Sequence, residues 1–159
     1  MVAMKFFEFK YRERNFLPGK FYHIYNQGFL KMKIFKSDKD CYRFVDAMLF
    51  YGKSFGVKFY NYTLMANHFH FLVGGGDIGE FMKRLGISYA TYFNIKYDRR
   101  GAVFNGRFNS IAVSKEEYLA ELQKYISMNP VKLMKTMPFG TEVNSSVQVE
   151  DAKLPPRTF

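Results

Sequence analysis

Hydrophobic and polar residues change rhythm along this chain, and the changes mark its elements. From Lys20 to Gln27 they alternate, with Phe21, His23 and Tyr25 on one face and Tyr22, Ile24 and Asn26 on the other, as a strand requires. Gly28 to Lys36 is a basic connection. From Ser37 the period lengthens: Cys41, Phe44, Val45, Met48 and Leu49 recur at helical spacing, Ser37 and Asp40 have the spacing of a capping box, and Gly56 is the stop. Val57 to Val73 has no helical period and is too long for one strand, so it reads as a hairpin, Val57–Met65 and His68–Val73, turning at Ala66-Asn67. Gly74-Gly75-Gly76 reads as a flexible strand-to-helix joint; with no Lys-Ser/Thr after it, it is not a P-loop. Asp77 caps a second helix whose buried face holds Ile78, Phe81, Met82, Leu85, Tyr89, Tyr92 and Phe93. The basic, glycine-broken loop Tyr97–Gly106 leads into a strand from Arg107 to Val113. Ser114-Lys115-Glu116-Glu117 then opens a third helix with Tyr118, Leu119, Leu122 and Ile126 on its apolar side, ending near Asn129 because Pro130 disfavours helical geometry just before it.

The order strand, helix, strand, strand, helix, strand, helix predicts an α+β fold. The expected core is a ferredoxin-like antiparallel sheet (βαββαβ), with an additional C-terminal helix. Residues 1–19 read as an N-terminal arm closed by the turn Pro18-Gly19, residues 20–132 as one domain, and residues 133–159 as a loosely packed or partly disordered tail. A chain of 159 residues can bury one core without staples.

Composition adds a partner class. The net charge is +10, and aromatics are interleaved with basic residues in Lys96-Tyr97-Asp98-Arg99-Arg100 and Phe104-Asn105-Gly106-Arg107-Phe108. Rings that stack on unpaired bases beside cations that track phosphates favour nucleic acid over a basic membrane helix, since no helix has a continuous Lys/Arg face. Cys41 is the only cysteine, so an intrachain disulfide is excluded and a reducing cytoplasm is expected. No stretch has the character of a signal peptide or approaches the length of a membrane span.

The candidate chemistry centres on Met65-Ala66-Asn67-His68-Phe69-His70-Phe71, which holds two of the three histidines. Alternation puts His68 and His70 on one face, one pleat apart, with Phe69 and Phe71 on the other. Two adjacent imidazoles make half of a divalent metal site; equally, they suit a pair of hydrogen-bonded polar residues on a solvated face. His23 reads as a packed, hydrogen-bonded histidine rather than a ligand. Tyr125 and Asn129 lie one turn apart near the end of the third helix.

Taken together, Leu-Met-Ala-Asn-His-Phe-His at 64–70 and Tyr-Ile-Ser-Met-Asn-Pro-Val-Lys at 125–132 resemble the single-tyrosine HUH transposases of insertion sequences, and among them the REP-associated tyrosine transposases. The resemblance runs from about Tyr22 to Lys132. It takes in Tyr22-His23-Ile24, Ser88-Tyr89-Ala90-Thr91-Tyr92-Phe93-Asn94 and Gly106-Arg107-Phe108. It implies that His68, His70 and Asn129 bind a divalent metal, Mg²⁺ or Mn²⁺, and that Tyr125 is the nucleophile forming a 5′-phosphotyrosine link. It also implies a single-stranded DNA substrate, often with a hairpin. Arg99, Arg100 and Arg107 in the basic loop, with Lys132, are the expected DNA contacts. Gln27 stands where the family often has arginine and Asn105 where glutamine is common, which bears on substrate contacts. Relatives act as monomers or as homodimers that swap the tyrosine helix, and both states stay open. Two rival readings share the fold or the chemistry: a domesticated DNA-binding protein that does not cleave, and an HUH replication initiator or relaxase.

Overall fold

A computed structural model describes residues 14–128 and 133–136. In chain order these residues form β1 (Phe21–Gln27), α1 (Asp38–Ser54), β2 (Lys58–Met65), β3 (His68–Gly74), α2 (Ile78–Lys96), β4 (Asn109–Val113), α3 (Lys115–Met128) and β5 (Leu133–Thr136). The strands make one sheet in the order β4-β1-β3-β2-β5, and every pairing is antiparallel. The first four strands have the ferredoxin-like arrangement that the element order predicts, and α3 follows as the added helix.

Alternation decides which residues face which layer. Tyr22 and Ile24 of β1, Phe69, Phe71 and Val73 of β3 and Leu64 of β2 are buried in one cluster with α1 and α2. Its centre is aromatic. Phe44 of α1 lies 5.0 Å from Phe69 and 5.9 Å from Phe71, and Phe81 of α2 lies 5.3 Å from Phe59. Tyr89 of α2 adds a buried ring whose hydroxyl donates to the carbonyl of Ile34. Burial of that many rings is the main apolar driving force for closing two helices onto the sheet.

The caps follow the expected chemistry. Asp40 accepts the Ser37 N–H at 3.0 Å and the Lys36 N–H at 2.8 Å. Asp77 Oδ1 accepts the Glu80 N–H at 2.9 Å, and Ser114 Oγ accepts the Glu117 N–H at 3.2 Å. The Asp77 and Ser114 bonds satisfy donors that the first helical turn leaves over, and Asp40 reaches back to the chain entering its helix.

Three details differ from the sequence expectation. β4 starts at Asn109 rather than Arg107, because Gly106 turns at φ +77 and the Phe108 carbonyl accepts from Arg14 (2.6 Å). Leu133–Thr136, expected to belong to a loose tail, pairs with β2 as β5; the remainder of that tail, like residues 1–13 of the arm, lies outside the described residues. The triple glycine is a close backbone approach: Asp77 N–H donates to the Phe55 carbonyl at 2.9 Å, drawing the α2 entrance against the α1 exit.

Candidate functional site

The other face of the sheet gathers the histidines. β1 runs antiparallel to β3 with Tyr25 opposite His70 and His23 opposite Leu72, so alternation puts the His23 and His70 rings on the same side. His23 Nε2 and His70 Nδ1 are 3.0 Å apart, and both residues are fully buried. His68 sits at the β2–β3 turn, 8% exposed, with its ring centroid 5.1 Å from that of His70. His68 Nδ1 meets Asn67 Oδ1 at 2.5 Å. Tyr25 stacks on His23 at 4.8 Å.

The first turn of α3 packs on this face. Tyr118 is buried, and its ring centroid is 5.0 Å from that of His23; Lys115 Nζ lies 5.3 Å from the Tyr60 ring centre. Tyr125 is carried on the same helix, seven residues beyond Tyr118, close to two turns, so its position recurs on the stripe that Tyr118 occupies. Asn129 and Lys132 lie outside the described residues.

Burial sets the electrostatics. Loss of hydration lowers the His23 pKa to about 3 and the His68 pKa to about 4. It lowers that of His70 well below the ordinary value, with the neighbouring His68 and His23 acting the same way. All three imidazoles are therefore neutral near pH 7, the form in which histidine ligates metal. With Nδ1 of His68 and of His70 engaged by a neighbour, Nε2 is the atom each would offer an ion. That donor set fits a divalent ion, with further positions left to oxygen ligands. Among the described residues, no group of three or more His, Cys, Asp or Glu side chains is arranged to hold an ion.

The basic loop lies beside the His68 end of the sheet. Gln27 pairs with His68, the Gln27 carbonyl accepts from Asn105 N–H at 2.9 Å, and Gly28 bridges to Phe104. Arg99 is partly engaged, donating to Asn94 Oδ1 at 3.2 Å, whereas Arg100 and Arg107 are exposed. A cleft of about 580 Å³ opens on the helix side of the sheet, away from the imidazoles, lined in part by Arg14, Asn26, Phe69, Phe104, Arg107 and Phe108. The Arg14 guanidinium lies 4.0 Å from the Phe108 ring centre.

Sequence reasoning missed two residues at the histidines. His23 was expected to be packed and hydrogen-bonded, as it is, but its partner is His70. The sequence pattern gives Asn67 a place in the hairpin turn and in the stretch 64–70, with no role of its own. Its place directly before His68 was the available signal; nothing local pointed from His23 to His70, which lie 47 residues apart.

A ferredoxin-like sheet, a histidine pair on an inner strand and a helix whose first turn packs on that face together define the class of architecture. The sequence comparison gives the family: the model described as "Transposase IS200 like" matches residues 21–129, most of the chain, and this protein belongs to that family. DNA cleavage and transfer is therefore its class of activity. Among solved structures, the chain is similar to a REP-associated tyrosine transposase bound to a REP hairpin (12% identity, TM-score 0.57, 77% of this chain and 73% of that one). It is also similar to a candidate transposase from Deinococcus radiodurans (18% identity, TM-score 0.52, 73% of this chain and 95% of that one). At these identities the likeness speaks for the fold. No curated protein matches the sequence. Among the described residues, no helix is long and apolar enough to cross a membrane.

Proposed function

We propose that this chain cuts and rejoins single-stranded, hairpin-bearing DNA through Tyr125, with Mg²⁺ or Mn²⁺ held by His68, His70 and Asn129. The observation that carries this reading is the pair of buried imidazoles on β3, on the face against which the first turn of the helix that bears Tyr125 packs. When bound, the ion supplies Lewis-acid stabilisation of charge on the scissile phosphate. Two imidazoles and an amide oxygen suit Mn²⁺ at least as well as Mg²⁺.

The chemistry asked of Tyr125 is displacement at phosphorus. Its phenolic oxygen bonds to phosphorus, the bond from phosphorus to the 3′ oxygen breaks, the phenol loses its proton and the departing oxygen gains one. A 5′-phosphotyrosine and a free 3′-hydroxyl result. Attack by a 3′-hydroxyl on the tyrosine ester reverses the exchange, so the covalent link preserves the phosphodiester for rejoining. Arg99, Arg100, Arg107 and Lys132 hold the phosphates, and the aromatic loop offers rings to unpaired bases. The hairpin bound by the structurally similar transposase supports a hairpin as the DNA form.

The test is a denaturing gel of labelled hairpin-bearing single strands incubated with Mn²⁺ or Mg²⁺. Wild type should give a metal-dependent covalent protein–DNA band. Tyr125→Phe and His68→Ala should lose it by at least roughly 10³-fold, as removal of a nucleophile or of the group that supports it does. A wild-type band from Tyr125→Phe overturns the assignment. Tight hairpin binding with no band from wild type, on a pool containing the cognate site, favours a non-cleaving DNA-binding protein.

A further inference from the structure

Two side chains outside the proposed ligand set touch its histidines at the atoms that decide their chemistry. Asn67 Oδ1 lies 2.5 Å from His68 Nδ1, and in this orientation of the amide Nδ2 turns towards the Lys31 carbonyl at 3.5 Å. An amide oxygen only accepts. With the oxygen facing the ring, His68 donates from Nδ1 and its lone pair is on Nε2. At the other histidine, His23 Nε2 and His70 Nδ1 share one proton at 3.0 Å. With both rings neutral, either His70 donates from Nδ1 and keeps its Nε2 lone pair, or His23 donates and the His70 proton sits on Nε2. Only the first arrangement leaves His70 able to ligate through Nε2.

We infer that His23 and Asn67 are positioning residues. They hold His70 and His68 in the Nδ1–H tautomer, so that two Nε2 lone pairs face one divalent ion. The inference rests on the metal reading given above. The strand pairing makes the device rigid: β1 is hydrogen-bonded to β3 along its whole length, and His23 is clamped between Tyr25 at 4.8 Å and Tyr118 at 5.0 Å. The His70 ring thus meets a fixed partner on one side, which serves as acceptor when His70 donates from Nδ1. Asn67 does the same from the turn, which is itself tied down: Gly28 N–H donates to the Asn67 carbonyl at 2.8 Å, and the Ala66 carbonyl accepts from Ile34 and Phe35. Partners of this kind are worth about 10- to 100-fold in metal affinity where they have been removed from other sites.

The experiment is Mn²⁺ titration of the full, DNA-free chain by calorimetry and by the free-ion electron paramagnetic resonance signal. It is paired with ¹⁵N detection of the histidine ring nitrogens in the metal-free protein. Wild type should show His68 and His70 protonated on Nδ1. His23→Phe and Asn67→Ala should weaken Mn²⁺ binding roughly 10- to 100-fold, and His23→Phe should shift His70 away from the Nδ1–H form. His23→Gln and Asn67→Asp, which keep an acceptor oxygen, should recover most of the affinity. A merely structural role would not be rescued in that pattern. Wild-type affinity in both folded acceptor-free variants, with binding lost in His68→Ala and His70→Ala, overturns the positioning role and leaves the metal site standing. Unchanged binding in His68→Ala and His70→Ala removes the metal reading and this inference with it. Should His23→Phe not fold, the wild-type tautomers and the Asn67 pair still decide: a wild-type His70 proton on Nε2 refutes the role of His23.

Discussion

At Asp40 a fully buried carboxylate collects the Lys96 ammonium at 2.6 Å, the Tyr97 hydroxyl at 2.6 Å and the Tyr92 hydroxyl at 2.9 Å, besides its two cap donors. Burial alone would raise its pKa; the Lys96, Tyr97, Lys36 and Tyr92 hydrogen bonds outweigh it and hold the value at about 2. The histidines are perturbed by burial without such compensation. Both kinds of group bind protons more readily when unfolded, so both make stability fall with acidification, but in different windows. The histidine contribution is complete above the unfolded value near 6.5 and is lost as pH falls from there to about 4 for His68 and about 3 for His23. The Asp40 contribution is complete above the unfolded value of 3.8 and is lost between there and about 2. Urea denaturation of the metal-free chain should therefore show a midpoint that is flat from pH 8 to 7 and falls below pH 6.5, with a slope of at most ~1.4 kcal/mol per pH unit for each histidine. A midpoint unchanged between pH 7 and 5 would contradict the burial of neutral imidazoles.

The joint between β3 and α2 shows why an element needs particular residues at its ends. Gly76 has φ +64, and a Cβ there would lie 2.3 Å from the Phe55 carbonyl oxygen. A side chain would meet backbone, not a movable side chain, and would also strain a left-handed residue. The triple glycine is thus explained by contact between two turns, where the sequence pattern suggested flexibility. Gly76→Ala should cost about 2 kcal/mol or more of unfolding free energy. Because this joint lies at the Gly74 end of β3, away from the His68 end, the folded variant should retain wild-type Mn²⁺ affinity. A substitution that costs nothing in a denaturant melt would mean that the two turns do not approach closely.

For the molecule as a whole, the +10 charge and the placement of the basic loop make DNA binding salt-dependent. Arg100 is exposed on that loop, so Arg100→Ala should weaken hairpin binding and lower the log–log salt slope by about 0.7 to 1. Fluorescence anisotropy at several salt concentrations reads both quantities, and an unchanged slope would remove Arg100 from the interface. Much of this architecture was legible beforehand because it is local. The β2–β3 hairpin, the caps at Asp40, Asp77 and Ser114, the helical stripes and the shared face of His68 and His70 each follow from residues within a few positions of one another. Residue order alone therefore sets the list of elements and the face each residue occupies, since backbone periodicity and capping are short-range. Long-range packing set the strand order β4-β1-β3-β2-β5, the shift of register between Phe59 and Asn61, and the pairing of Leu133–Thr136 with β2. It also decided the meeting of His23 with His70. Those contacts join segments far apart in the chain, and which strand edge another strand takes depends on how the whole apolar face is buried, which no local pattern encodes.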